Sequence, residues 1–177
     1  MKRIIIGFSH EGDTNTTVSR TVDRPPYAGL TEQGEKHVAE LWRTISKMYL
    51  GGLGKVACFA PYWSPAADNA QAFLMLSREP VIHFKTFTGP HEYKDRLTTF
   101  AGEADTVLCF LKMENKRNTE AVLSFYQNAL TAFGMGAGRL CQIFNAPDKQ
   151  EVAAFVIDLE NRSVYKISFK EGRVTAM

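Results

Sequence analysis

Cysteine is scarce. Cys58, Cys109 and Cys141 are the three in 177 residues, too few and too scattered for a disulfide framework or a zinc site. Cys58 and Cys109 lie inside apolar runs, where a small buried thiol is expected, and a reducing, cytoplasmic compartment is the simplest setting for them. Long apolar runs are missing as well. No uninterrupted stretch approaches the ~18 residues of a membrane span. Met1-Lys2-Arg3, followed by Ile4-Ile5-Ile6-Gly7-Phe8, lacks the apolar length and the cleavage site of a signal peptide. Charge of one sign is not in excess either: 21 Lys+Arg against 19 Asp+Glu leaves a net +2. The basic residues are spread along the chain, so no nucleic-acid footprint is visible. What remains is ordinary globular material, 45% apolar and 23% charged, which excludes a disordered tail, a collagen-like chain and a coiled coil. The length predicts a single domain over 1–177, able to bury about 70% of its unfolded surface without staples.

The patterning alternates short apolar runs with amphipathic ones. Arg3–Phe8 is a continuous β-branched strand, as expected where both faces are covered. A polar, Thr-rich stretch from Glu11 to Arg24, closed by Pro25-Pro26, has no period and reads as a long loop, a feature that points to function. A helix begins near Thr31, with Val38, Leu41, Trp42, Ile45 and Met48 on one face, and Gly51, Gly52 and Gly54 end it. Lys55–Ala60 is a second strand. Ser64-Pro65 reads as a cap and first residue of a second helix, continued by Ala70, Phe73, Leu74 and Ser77. Val81–Phe84 and Thr106–Leu111 are the third and fourth strands. Val122, Phe125, Tyr126, Ala129, Leu130 and Phe133 form another helical face, stopped by Gly134-Met135-Gly136-Ala137-Gly138. Two strands around Glu160-Asn161-Arg162 close the chain as a hairpin. The predicted fold is a three-layer α/β/α sandwich with a mostly parallel central sheet and a C-terminal β-hairpin. Its core includes Ile4, Ile6, Leu41, Val56, Cys58, Phe73, Val107, Cys109, Phe125 and Leu130.

In such a sheet, ligands bind beyond the carboxyl ends of the strands. The residues delivered there are Ser9-His10-Glu11-Gly12-Asp13-Thr14-Asn15 after the first strand, Pro61–Pro65 after the second and Lys112–Asn115 after the fourth. His10 stands out because it leaves a strand into a long polar loop. His37, His83 and His91 carry no such signal and read as structural or solvated.

These residues resemble the histidine phosphatase superfamily, in its phosphoglycerate-mutase-like branch. That family ends its first strand in Arg-His-Gly-Glu-Thr, where this chain has Ser9 to Asn15. Its Leu-Thr-x-x-Gly helix start is matched by Leu30-Thr31-Glu32-Gln33-Gly34, and its Ser-Pro-x-x-Arg-x-x-Gln-Thr segment by Ser64 to Ala72. Asn145-Ala146 and the terminal hairpin resemble its closing segment. Order and spacing hold over nearly the whole chain. The resemblance implies that His10 matches the phospho-accepting histidine, with Glu92 the general-acid candidate by position. It sets Ser9, Glu11, Thr14, Asn15, Asp68 and Lys112 around the ligand, with no metal and no cofactor.

The departures weigh heavily. Ser9 and Asp68 stand where the family has arginines, Lys112 where it has a second histidine, and Glu11 is inserted into the motif or replaces its glycine. Losing one oxyanion donor commonly costs about 10²–10³ in rate. A carboxylate ~5 Å from a phosphoryl oxygen repels it by roughly 3 kcal/mol at an effective dielectric of 20. Lys112, Arg20, Arg24 or Arg117 could return positive charge, but lysine lacks the bidentate fork that suits phosphate. The leading expectation is therefore a pseudo-phosphatase that binds a small ligand, phosphorylated or not, or a partner, without nucleic acid or membrane. The alternative is an active phosphomonoesterase in which His10 is the nucleophile of a rebuilt anion pocket. A third reading gives His10 other chemistry with Glu11, Asp13 or Asp68, including a metal-bridged ligand. A fourth leaves the carboxylates as the solvated rim of an unused cleft. Ligand identity and oligomeric state are left open by the sequence.

Overall fold

A computed structural model describes residues 1–10, 12–13, 29–61, 65–87, 99–100, 102–112, 152–168 and 174–176. Among the described residues, seven strands make one sheet: β1 (Arg3–Ser9), β2 (Val56–Pro61), β3 (Val81–Phe87), β4 (Thr106–Lys112), β5 (Val152–Asp158), β6 (Ser163–Ser168) and β7 (Val174–Ala176). Their order is β3-β2-β4-β1-β5-β6-β7. The first four in that order pair in parallel, and β5, β6 and β7 continue antiparallel from β1. The chain leaves β1 for β2 and β3 and returns to insert β4 beside β1. The carboxyl ends of β1 and β4 thus lie together, with Ser9 opposite Lys112.

Every residue of β1 and of β5 is buried, as the continuous apolar run predicts for strands covered on both sides. Ile4, Ile6, Phe8, Val107, Cys109 and Phe155 point to one face. Ile5, Val56, Cys58, Leu108, Phe110 and Val156 point to the other, where α1 (Glu32–Met48) and α2 (Pro65–Ser77) pack through Val38, Leu41, Ile45, Ala70 and Phe73. Gly7 lies where a Cβ would come 2.5 Å from the Phe110 ring, so the small residue leaves room for that aromatic. Burial pushes the Cys58 and Cys109 thiols well above their ordinary range, which keeps them inert. Cys141, Phe125, Leu130 and the predicted helix around them lie outside the described residues.

Two predicted boundaries need correction. The third strand runs on to Phe87 rather than ending at Phe84. Lys85 and Thr86 break the apolar run, but β3 is an edge strand, where polar residues are tolerated. The hairpin also has a third member, β7, whose three residues are too short to give a period.

Helix α1 starts where the sequence predicts. The Thr31 hydroxyl caps it, accepting from the Gly34 amide at 3.1 Å, and donates in turn to the Gly12 carbonyl. Glu32 and Glu35 in the first turn suit the helix dipole. Thr31→Ala removes both bonds and is expected to cost about 1–2 kcal/mol in urea unfolding; a loss below about 0.5 would exclude this cap.

Candidate functional site

The turn leaving β1 is closed by the Asp13 amide donating to the His10 carbonyl at 3.1 Å. Gly12 takes φ +86 within it, a left-handed conformation that glycine adopts without strain. The turn is then fastened to α1. The Thr31 amide donates to the Asp13 carbonyl at 2.9 Å.

The Asp13 carboxylate gathers the site. Its Oδ2 accepts from the His10 backbone amide at 2.9 Å, from His37 Nδ1 at 2.8 Å and from Asn69 Nδ2 at 3.2 Å. Its Oδ1 accepts from Gln33 Nε2 at 3.2 Å. Asp13 and His37 are almost wholly buried, at 1% and 2% exposure, so water does not weaken the pair. Burial alone would push the Asp13 carboxyl up. The His37, His10 and Gln33 donors outweigh it and hold the carboxyl below its ordinary value.

The His10 ring is held from two sides. Its Nε2 lies 2.6 Å from the carbonyl oxygen of Val152, and the His37 ring meets it edge to face with centroids 4.7 Å apart. A carbonyl can only accept, so His10 Nε2 is the donor in this contact. β5 supplies that carbonyl because it runs antiparallel beside β1.

The sequence-predicted residues are distributed as follows. Ser9 is buried at the end of β1, and its Oγ has no hydrogen-bond partner among the described residues. Lys112 has its backbone beside Ser9. Asp68 is buried in the first turn of α2 and lines a groove between α1 and α2. Glu11, Thr14, Asn15 and Glu92 lie outside the described residues, as do Arg20, Arg24 and Arg117. Two members of the cluster carry no sequence signal of their own. His37 sits on the buried stripe Gly34, His37, Val38, Leu41, Ile45, where its spacing is that of a core residue. Asn69 is the α2 residue that reaches Asp13, one position after Asp68. Among the described residues, no group of three His, Cys, Asp or Glu side chains is arranged to hold a metal ion. Among them, too, no helix is long and apolar enough to cross a membrane.

The chain is similar in fold to two solved structures. One is a protein of Agrobacterium tumefaciens provisionally assigned as the phosphohistidine phosphatase SixA: 9% identity, TM-score 0.48, with 99% of this chain and 95% of that chain covered. The other, from Nakamurella multipartitia and provisionally assigned the same way, gives 11% identity and TM-score 0.49 over 99% and 93% of the two chains. No family model and no curated protein matches the chain.

Proposed function

We propose that this single-domain chain is a cytoplasmic histidine-phosphatase-like protein whose His10 site binds a small ligand and transfers phosphoryl groups slowly or not at all. The observation that carries the reading is the Asp13 hub. The group that organises the His10 turn is a buried carboxylate, tied to an imidazole, an amide side chain and a backbone amide. Catalysis of phosphoryl transfer is almost entirely electrostatic and positional, and requires positive charge around the equatorial oxygens. Ser9 and Asp68, at the positions where the resembled family has arginines, supply none.

The reading predicts that the purified protein hydrolyses p-nitrophenyl phosphate with kcat/KM below about 10² M⁻¹s⁻¹, at least two decades under the usual enzymatic range of about 10⁴–10⁸. Robust turnover, abolished by His10→Ala, would overturn the proposal. One observation favours the active alternative. Ser9 lies opposite Lys112 in the β1–β4 register, which brings a lysine backbone next to His10 at the same end of the sheet. If that cation rebuilds the anion pocket, Lys112→Ala will remove the turnover as His10→Ala does.

A further inference from the structure

His10 has one ring nitrogen committed. Its Nε2 donates at 2.6 Å to the carbonyl of Val152, a residue 142 positions away. A bulge at the start of β5 accompanies that contact. Val152 lies opposite Ser168 and Ala154 opposite Ile167, so Ala153 is the extra residue. The pairing of β5 with β1 ends at Gly7 and Ala154. Val152 therefore lies past that ladder, towards the strand exit that carries His10. Bulges next to sites re-aim a group that regular pairing would hold elsewhere.

The ring has no second way to make this bond. Turning it over about Cβ–Cγ would set Cε1 against the Val152 oxygen, and a C–H is a weaker donor. The backbone is fixed too, because the His10 amide donates to Asp13 Oδ2 at 2.9 Å. His37, bound to the same oxygen at 2.8 Å, meets the His10 ring edge to face with centroids 4.7 Å apart. Three elements, the Asp13 turn, α1 and β5, thus hold His10 in one orientation. The hydrogen bond at one ring nitrogen sets which of the two carries the proton.

We infer that His10 works through Nδ1: the Val152 carbonyl keeps a proton on Nε2, and Nδ1 is the nitrogen that meets the ligand. This rests on the reading of His10 as the ligand-facing group of the site. A ring nitrogen that carries a proton donates; it neither accepts nor attacks. The class of ligand follows. Nδ1 takes a hydrogen-bond donor, an amine, amide or hydroxyl. It also takes an electrophilic centre, to which the new bond forms while the leaving group departs with the electron pair of the bond that breaks.

Two measurements on the full chain test this. With isotope-labelled histidine at pH 8.5, about two units above the ordinary imidazole value, proton–nitrogen spectra should show His10 as the Nε2–H tautomer. His10→Asn assigns its signals by their loss. His10 is half-buried, within reach of bromoacetamide, a small neutral reagent that forms an N–C bond and expels bromide. In the folded protein it should alkylate Nδ1 over Nε2 by roughly tenfold, the ratio that one net hydrogen bond sustains. In concentrated urea the ratio should fall to that of N-acetylhistidine amide. Deleting Ala153 removes the bulge and turns the Val152 carbonyl aside, since a one-residue slip sends each group of a strand to the opposite side. The Nε2 product should then rise towards the urea ratio, and the wild-type measurements decide the matter if that variant does not fold. An Nδ1–H tautomer, predominant Nε2 alkylation, or an unchanged ratio in a folded Ala153 deletion would overturn the inference and leave His10 as the ligand-facing group. A folded His10 untouched at concentrations that modify N-acetylhistidine amide would overturn both.

Discussion

Asp13→Ala is expected to destabilise the protein by about 3–5 kcal/mol, because it takes one shared acceptor away from several donors at once. Three donors converge on the lost Oδ2, from the His10 amide, His37 and Asn69, and the His37 and Asn69 side chains are buried. Leaving a buried donor unsatisfied costs about 1–3 kcal/mol by itself, so the upper half of the range is within reach. Asp13→Asn should fall between wild type and Ala, because its one carbonyl oxygen can still accept. The pH dependence has a definite sign. The folded carboxyl lies below its ordinary value, so its contribution is complete above the unfolded value of about 3.9 and is lost as pH falls through the folded one. Asp105, held low by the Lys55 amide, loses its share in the same direction. Urea unfolding at pH 7 and pH 3 should therefore show the gap between wild type and Asp13→Ala narrowing in acid. A variant within 1 kcal/mol of wild type at pH 7, or a gap constant with pH, would remove Asp13 from the centre of the site.

The same cluster marks where sequence reading stops. Elements whose pattern is local were legible: the apolar run of β1, the stripe of α1 with its Thr31 cap, and the hairpin of β5 and β6. His10 draws attention for a local reason too, as a histidine leaving a strand for a long polar loop. Its partners are not local. Val152 contributes a carbonyl from 142 residues away, a backbone group that every residue possesses. His37 looks like core because it is core, placed on the buried face of α1 and also turned to Asp13. In α2, the charge anomaly of Asp68 drew the reading while the neutral Asn69 made the contact. Motif resemblance located the strand ends. It could not choose between adjacent residues on a helix, about 100° apart around the axis.

Gly34→Ala separates propensity from packing. In a helix interior alanine is favoured over glycine by about 1 kcal/mol, so an isolated α1 would gain from the change. In the folded protein a Cβ at Gly34 would stand 2.0 Å from the Asp13 carbonyl oxygen and 3.1 Å from its Cα. Both are backbone atoms and cannot rotate away, so the whole turn from His10 to Asp13 must lift off the helix. That forfeits the bond from the Thr31 amide to the Asp13 carbonyl and drags the carboxylate from its donors. Overpacking of this kind costs about 1–3 kcal/mol, and each lost hydrogen bond adds about 1 kcal/mol. The clash therefore wins, for a net destabilisation of about 2–3 kcal/mol. The glycine of the Leu-Thr-x-x-Gly segment thus has a physical reason: it lets the His10 turn sit against the start of α1, with Thr31 holding it there. Thermal unfolding of Gly34→Ala beside wild type decides between the two terms, and a rise in Tm would mean that the turn does not rest on Gly34.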